Sequence, residues 1–385
     1  MNNQENFNIY KIKEVNSLLK INSKETVTLN NLKTNNSTLK SERIEYFDSL
    51  RILCSFSVII IHASSQNRNT CPIKSHEYKI LNYYNGISRF GVPIFFMISG
   101  TLFLNKNISF SIILKKYIKK IYINLFFWSF FYSLREKIIK NYPYKNIFLL
   151  FLKGHYHLWY LFCICGLYLI TPFLKEIEKN EKLIGIFLIL NFVFGFLISN
   201  LHTFLFYYSK EYYNAIEQIL KYVGLNGFFN NNLFYYIFGF YLNKKYIRPL
   251  YRIIIYILGI CGIILTCEIS LWVSLKKNQK IRFYSSNYIN VFFMSISIFI
   301  FFKYNFNDLK SKGIKEFIQK LGLLTYGIYI IHPFVIDELN IRIKLNTLSF
   351  EPLYSVPINS FIIFLISLLL VYFIKLIPSN YQYIL

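Results

Sequence analysis

Long apolar segments, separated by short polar connections, make up most of the chain. A helix that crosses the hydrocarbon core of a bilayer needs roughly 20 mostly apolar residues, and segments of this kind recur after residue 48. We predict about ten membrane spans. They lie at residues 49–66, 84–104, 118–134, 157–174, 183–202, 227–243, 252–273, 287–303, 320–337 and 357–377. The pattern therefore predicts an all-α fold, a polytopic membrane helical bundle.

The first 47 residues have a different pattern. They are rich in Asn, Lys, Ser and Thr and contain neither a sustained apolar run nor a cleavable signal sequence. Such a composition buries too little apolar surface to offset the entropy of ordering the chain. We predict a disordered cytoplasmic N-terminal tail at residues 1–47 and an integral membrane domain at residues 48–385.

The chain is strongly basic, with 43 Lys and Arg residues against 19 Asp and Glu residues, yet 54% of its residues are hydrophobic. The basic residues cluster in the connections between apolar segments, where membrane proteins keep them. No soluble domain remains that would bind nucleic acid, so we predict no nucleic-acid partner. The predicted surroundings are the lipid bilayer.

The distribution of basic residues over the connections predicts an orientation. It favours both termini in the cytoplasm, in a multi-pass protein of the cell membrane. One connection that would then lie outside argues against this orientation. It contains Lys276, Lys277, Lys280 and Arg282.

The sequence predicts neither a disulfide scaffold nor a metal site. The six cysteines are too few and too scattered for a disulfide scaffold, and four of them lie inside apolar segments. His155 and His157 suggest a metal pair, but no further His or carboxylate is spaced to complete a site. We predict no metal.

Arg51 and His62 interrupt one of the most apolar segments of the chain. Eleven residues of helix return to nearly the same face and separate them by about 16 Å. Asp48 and Ser55 belong to the same face, three residues before and four after Arg51. Polar groups inside a span cost several kcal/mol unless they face the bundle interior. This polar seam is therefore a candidate site; the structural alternative is an ion pair with a buried histidine.

The segment SRFGVPIFFMISGTLF, at residues 88–103, contains the second group of candidates. Gly91 and Pro93 predict a kinked or broken helix, which membranes tolerate only where protein or a cavity satisfies the freed backbone. Arg89 is the stronger functional candidate. Ser99 and Gly100 suit either substrate contact or close helix packing.

Two later segments complete the set. HLWYL, at residues 157–161, places His157 and Trp159 where an entrance at the outer membrane surface is expected. YGIYIIH, at residues 326–332, contains Tyr329 and His332. His332 is expected roughly 15 Å from the cytoplasmic end of its span, nearly the depth of His62. We predict that the two histidines share one site.

These blocks together resemble acyltransferase family 3, the integral membrane acyltransferases that modify cell-surface glycans. The resemblance rests on an Arg and a His with ten residues between them, on GVPIFFMISG, on HLWYL with Pro172 closing its span, and on YGIYIIH. It runs in the family's order from about residue 46 to about residue 377. The HLWYL form is closer to the surface-polysaccharide O-acetyltransferase branch.

The resemblance implies a donor and an acceptor. An acyl-CoA in the cytoplasm, acetyl-CoA in most of the family, donates its acyl group to a hydroxyl of a cell-surface or lipid-linked polysaccharide. Succinyl transfer is an open alternative. No metal or other cofactor is expected.

The resemblance and the residue chemistry together suggest roles. His62 is expected to be a general base or a transient acyl carrier, and Arg51 to bind donor phosphate with Asp48 orienting it. Catalytic roles are predicted for His62, Arg51 and His332. Substrate contacts are predicted for Asp48, Arg89, Ser99, His157, Trp159 and Tyr329.

Two other function classes remain open. In a transporter or flippase, the same polar seam would line the path of a glycan or its lipid-linked precursor. The chain has no evident inverted repeat and few carboxylates in its spans, which favours the enzyme. A non-catalytic assembly factor is the third class, and in it neither histidine would matter.

Overall fold

The computed structural model describes residues 43–106, 108–140, 144–223, 231–307 and 310–377. Every regular element in these ranges is a helix, which confirms the all-α prediction. A helical turn (Phe110–Ile112) and a π-helical segment (Ile113–Ile118) precede the helix Lys119–Lys140, and a second π-helical segment (Phe192–Ile198) joins the helices Glu181–Asn191 and Ser199–Tyr208. The helices are α1 (Glu45–Arg68), α2 (His76–Ile87), α3 (Gly91–Leu104), α4 (Lys119–Lys140), α5 (Tyr144–Lys153), α6 (Trp159–Glu178), α7 (Glu181–Asn191), α8 (Ser199–Tyr208), α9 (Lys210–Val223), α10 (Asn231–Lys244), α11 (Pro249–Lys277), α12 (Ile289–Asn305), α13 (Lys312–Gly322), α14 (Thr325–Ile343) and α15 (Pro352–Leu376).

Six helical units of the described chain are long and apolar enough to cross a membrane. They are α1, α2 with α3, α6, α7 with α8, α11 and α15. The predicted count of about ten is therefore not confirmed. The other predicted spans fall on α4, α10, α12 and α14. With 14 and 17 residues, α10 and α12 reach only about 21 and 26 Å, and α4 and α14 contain several charged side chains.

The first helix begins at Glu45, three residues before the predicted start of the membrane domain. Tyr46 and Phe47 are buried against each other and against Phe299 of α12. Two large aromatic rings that gain such contacts favour extension of the helix beyond the apolar run. Residues 1–42 of the predicted tail lie outside the described residues.

Helix α1 occupies the centre of the bundle, where it packs against α2, α3, α12, α13, α14 and α15. Its polar seam faces inward. Asp48, Ser55 and Val58 are buried, and Arg51 and His62 are partly buried. This position surrounds the ionisable groups of α1 with protein rather than with lipid.

A break interrupts the second membrane-crossing unit, as its Gly and Pro predict. Helix α2 ends at Ile87 and α3 begins at Gly91. A Cβ at Gly91 would lie 2.2 Å from Ser57 Oγ, so only glycine permits this approach to α1. Pro93 lies in the first turn of α3. Backbone N–H groups there have no acceptor within the helix, so the proline costs no hydrogen bond. The break places Arg89 between the two helices, beside α1.

Helices α3 and α10 cross with their backbones in contact. A Cβ at Gly100 would lie 1.7 Å from the Tyr236 carbonyl oxygen, and one at Gly239 would lie 2.3 Å from the Met97 carbonyl oxygen. Reciprocal glycines of this kind are typical of close helix pairs in membranes. Gly100 therefore serves helix packing, one of its two predicted uses.

We expect Gly239→Ala to lower the stability of the purified protein by about 1–3 kcal/mol, because the added methyl group overlaps the backbone of α3. Thermal unfolding in detergent measures the effect. The matched control is Gly185→Ala, where nothing lies within 4 Å of the added Cβ. Equal unfolding midpoints for the two variants would contradict the close crossing.

Candidate active site

Three histidines from distant parts of the chain meet beside α1. The ring centroids of His62 (α1) and His332 (α14) are 5.2 Å apart, and those of His157 and His332 are 5.6 Å apart. His157 and His332 are buried, whereas His62 keeps some exposed surface. The structure thus brings together the two histidines predicted at equal depth and adds His157 from the connection before α6.

A proline determines which nitrogen of His332 carries the proton. Pro333 has no N–H, so the carbonyl of Tyr329 loses its usual partner four residues later in α14. His332 Nδ1 lies 2.7 Å from this carbonyl oxygen. Since a carbonyl only accepts, Nδ1 donates and Nε2 keeps a lone pair. Nε2 is buried without a hydrogen-bond partner among the described residues, so His332 presents an unused basic nitrogen.

Both ring nitrogens of His157 are already engaged. Nε2 lies 3.1 Å from the carbonyl oxygen of Ile330 and must donate to it, and Nδ1 is 2.8 Å from Nδ1 of His155. Tyr132 donates to the same Ile330 oxygen, at 2.8 Å, and Tyr329 donates to the carbonyl of His157. His157 therefore fixes the connection before α6 onto α14. The short distance between the two histidines leaves no room for an ion between them.

Arg51 is held at the other end of the polar seam. Its Nη1 donates to Asp48 Oδ1 at 2.7 Å, and the Asp48 side chain is fully buried. Gly322, the last residue of α13, packs on this carboxylate: an added Cβ would lie 2.8 Å from Oδ1. The glycine lets α13 approach Asp48, which in turn orients the partly exposed guanidinium of Arg51.

A cavity of about 530 Å³ is lined by Arg51 at one part of its wall and by Tyr329 at another. Three further cations, all lysines, line it with Arg51, and Ser99, Tyr160 and Tyr329 form another part of its wall. Tyr160 OH lies 3.3 Å from Ser99 Oγ. The Tyr329 ring lies 5.6 Å from His157 and 6.1 Å from His332. The lysines are Lys116, Lys120 and Lys375.

Arg89 approaches the histidines from the opposite direction. Its Nε donates to Asn85 Oδ1 at 3.0 Å, and Asn85 donates to the carbonyl of Ile61, one residue before His62, at 2.9 Å. The break between α2 and α3 thus brings a cation close to the histidine cluster, on the side away from Arg51.

Trp159 is a predicted site residue that the structure places away from both the histidines and the cavity wall. Its side chain is 42% exposed, and its ring packs 6.4 Å from that of Phe96. Leu158 and Leu161 occupy the buried face, and a helix turns about 100° per residue. Tyr160, one position later, faces the cavity instead.

Sequence reasoning did not select Tyr160, Lys120, Lys375 or Pro333. The tyrosine is one of 33 in the chain, and the lysines resemble those that end other apolar segments. Pro333 directly follows a candidate histidine, which was an available signal for a freed backbone carbonyl.

A family model described as an acyltransferase domain matches residues 44–376, nearly the whole described bundle. The chain belongs to acyltransferase family 3. No curated protein and no solved structure matches it. The family and the apolar helices identify a membrane acyltransferase. In this acyltransferase, the basic cavity and the histidine cluster are the candidate donor and catalytic sites.

We expect histidine NMR of the ¹⁵N-labelled acyltransferase to show His332 protonated at Nδ1 and His157 protonated at Nε2. His332→Gln and His157→Gln assign the signals. In Pro333→Ala the restored N–H competes for the Tyr329 carbonyl, so part of His332 should shift to the other tautomer. A wild-type spectrum with the His332 proton on Nε2 would contradict the assignment.

Proposed function

We propose that this acyltransferase transfers an acetyl group from acetyl-CoA to a hydroxyl of a cell-surface or lipid-linked polysaccharide. The supporting observation is a cavity lined by four basic side chains and by Tyr329, whose ring lies beside those of His157 and His332. Coenzyme A carries phosphates at one end and the thioester at the other. A site for it needs cations at its mouth and acyl-transfer chemistry at its depth.

The donor enters in this proposal from the end of α1 that begins at Glu45, which is then the cytoplasmic face of the cell membrane. Arg51 is the best-oriented phosphate ligand, because its ion pair with Asp48 fixes a planar group that suits phosphate oxygens. The pantetheine arm follows the aromatic wall of the cavity. The thioester carbonyl then lies near Ser99 and Tyr160, whose hydroxyls are suited to stabilise an oxyanion.

The acceptor hydroxyl oxygen attacks the thioester carbonyl carbon while His62 accepts the hydroxyl proton. Collapse of the tetrahedral intermediate breaks the carbon–sulfur bond. The departing thiolate takes the proton from His62, which leaves an ester and free coenzyme A. His62 suits this role because its side chain is partly exposed and a neutral imidazole has a lone pair that can accept a proton.

His332 supports His62 in this proposal. Its Nε2 lone pair has no described partner and its ring lies beside that of His62. When substrate closes the site, this lone pair accepts the second N–H of His62 and stabilises the imidazolium that forms. His332 is thus a positioning residue, and His157 and Tyr329 hold the surrounding backbone.

We expect His62→Gln to reduce transfer of labelled acetyl groups by about 10²-fold to 10⁴-fold, because the general base is lost. Expression and unfolding midpoint should stay at wild-type values, as in the control His202→Gln, a histidine that stacks on Tyr213 away from the cluster. Undiminished transfer would overturn the base role. A label trapped covalently on His62 would instead identify it as an acyl carrier, and glycan movement without acetyl-CoA turnover would favour transport.

We expect Arg51→Gln to raise the KM for acetyl-CoA about tenfold, because the donor loses one charge-assisted hydrogen bond to the protein. The KM for acetylpantetheine, which lacks the nucleotide phosphates, should change little. Lys276→Gln, an exposed basic residue at the end of α11, is the control for net charge. Equal effects on the two donors would show that Arg51 does not bind phosphate.

A further inference from the structure

Arg68, the last residue of α1, is a buried cation without a hydrogen-bond partner. Its side chain is 1% exposed, and none of its three guanidinium nitrogens makes a hydrogen bond to a described residue. The guanidinium carbon lies 5.1 Å from the centre of the Tyr284 ring. The Tyr284 hydroxyl is itself buried and without a partner in the described ranges. Burying an unpaired charge costs several kcal/mol, so a missing anion is the physical expectation.

A second guanidinium, that of Arg89, also lies over the Tyr284 ring. The Arg89 guanidinium carbon is 4.2 Å from the centre of the Tyr284 ring. Arg68, Arg89 and Arg282 interact electrostatically with one another. Within the described part of the chain, neither Arg68 nor Arg89 forms an ion pair with a carboxylate. The local charge is therefore strongly positive and uncompensated.

The positive groups lead from the catalytic centre to the surface. Arg89 is connected through Asn85 to the backbone of Ile61, next to His62, and Arg68 lies six residues beyond His62 along α1, about 9 Å along the helix axis. Arg282, in the connection before α12, is exposed and donates to Asn69 Oδ1 at 2.9 Å. This route starts at the opposite end of α1 from Arg51. An anion bound there would therefore not occupy the donor cavity.

We propose that Arg68, Arg89 and Tyr284 form a phosphate-binding site for the acceptor, which we call the acceptor phosphate site. Its role in acyl transfer rests on the proposed function, whereas its capacity to bind an anion does not. The ligand is a phosphate-bearing glycan, either a saccharide on a lipid diphosphate or a polymer with phosphodiester links. Two guanidinium groups suit phosphate oxygens, and the Tyr284 hydroxyl is a further donor.

A diphosphate fits this site better than an anion with a single charge. The carboxylate of an acidic sugar and a phosphodiester link each carry one negative charge, whereas Arg68 and Arg89 together carry two positive charges and Arg282 adds a third. The two negative charges of a lipid diphosphate balance those of Arg68 and Arg89. The competing structural explanation is that Arg68 only packs on Tyr284 and interacts with the C-terminal dipole of α1, and it requires no anion.

The first test measures binding of inorganic pyrophosphate to the purified acyltransferase, with coenzyme A present to fill the donor cavity. Pyrophosphate should raise the unfolding midpoint of the wild type. Arg68→Gln and Arg89→Gln should weaken its binding about tenfold or more, the effect of one lost charge-assisted hydrogen bond. Lys79→Gln, exposed on α2, should bind as the wild type does.

Two further variants keep this test decisive. Arg68→Lys retains the charge if Arg68→Gln fails to fold, and Tyr284→Phe removes only the hydroxyl. Both should weaken pyrophosphate binding, because each loses a donor at fixed net charge. Absence of any pyrophosphate effect on the wild type, or wild-type binding by all these variants, would overturn the acceptor phosphate site.

The second test compares acceptors that share one saccharide: linked to a lipid diphosphate, within a phosphodiester polymer, and free of phosphate. Arg68→Gln should raise the KM for a phosphate-bearing acceptor about tenfold, without a matching rise in the KM for acetyl-CoA. The acceptor that shows this change identifies the phosphate source. Equal KM changes for the phosphate-free acceptor would overturn the proposal. Pyrophosphate binding without acetyl-CoA turnover would instead refute the proposed function alone.

Discussion

The burial of a charged and polar seam along one central helix constrains the rest of the structure. Asp48, Arg51 and His62 are tolerable inside an apolar bundle only when protein surrounds them, and six helices supply that surrounding. Close approach to α1 in turn requires glycines, Gly322 against Asp48 and Gly91 against Ser57. Packing and chemistry are therefore not separable here, because the residues that close the bundle around α1 are also those that orient its polar groups.

The arginines at the two ends of α1 have different partners. At one end, Arg51 has a buried carboxylate that fixes it, so its charge is oriented and partly neutralised. At the other, Arg68 and Arg89 share an aromatic ring and have no carboxylate in the described ranges. The first arrangement favours a precise ligand geometry, and the second favours a strong attraction for anions. The histidines lie between them.

Much of this organisation follows from helix periodicity. The inward seam and the meeting of His62 with His332 could be predicted, because equal depth and an apolar background leave few other places for two histidines. The number of spans could not be predicted, because apolar composition alone does not determine where a helix begins and ends: α10 has 14 residues and α12 has 17. The direction of the Trp159 side chain could not be predicted either. The motif located the helix, but the direction of the indole depended on which leucines the bundle buried.

Pro333 has a consequence for how the catalytic centre tolerates charge. Many enzymes fix the tautomer of a working histidine with a carboxylate, which adds a negative charge to the site. Here Pro333 leaves the Tyr329 carbonyl oxygen without its helical partner, and this neutral oxygen fixes the tautomer of His332. A centre prepared in this way does not repel anionic reactants from either direction. In the proposed function, the helix defect thus lets two negatively charged substrates meet at one imidazole pair.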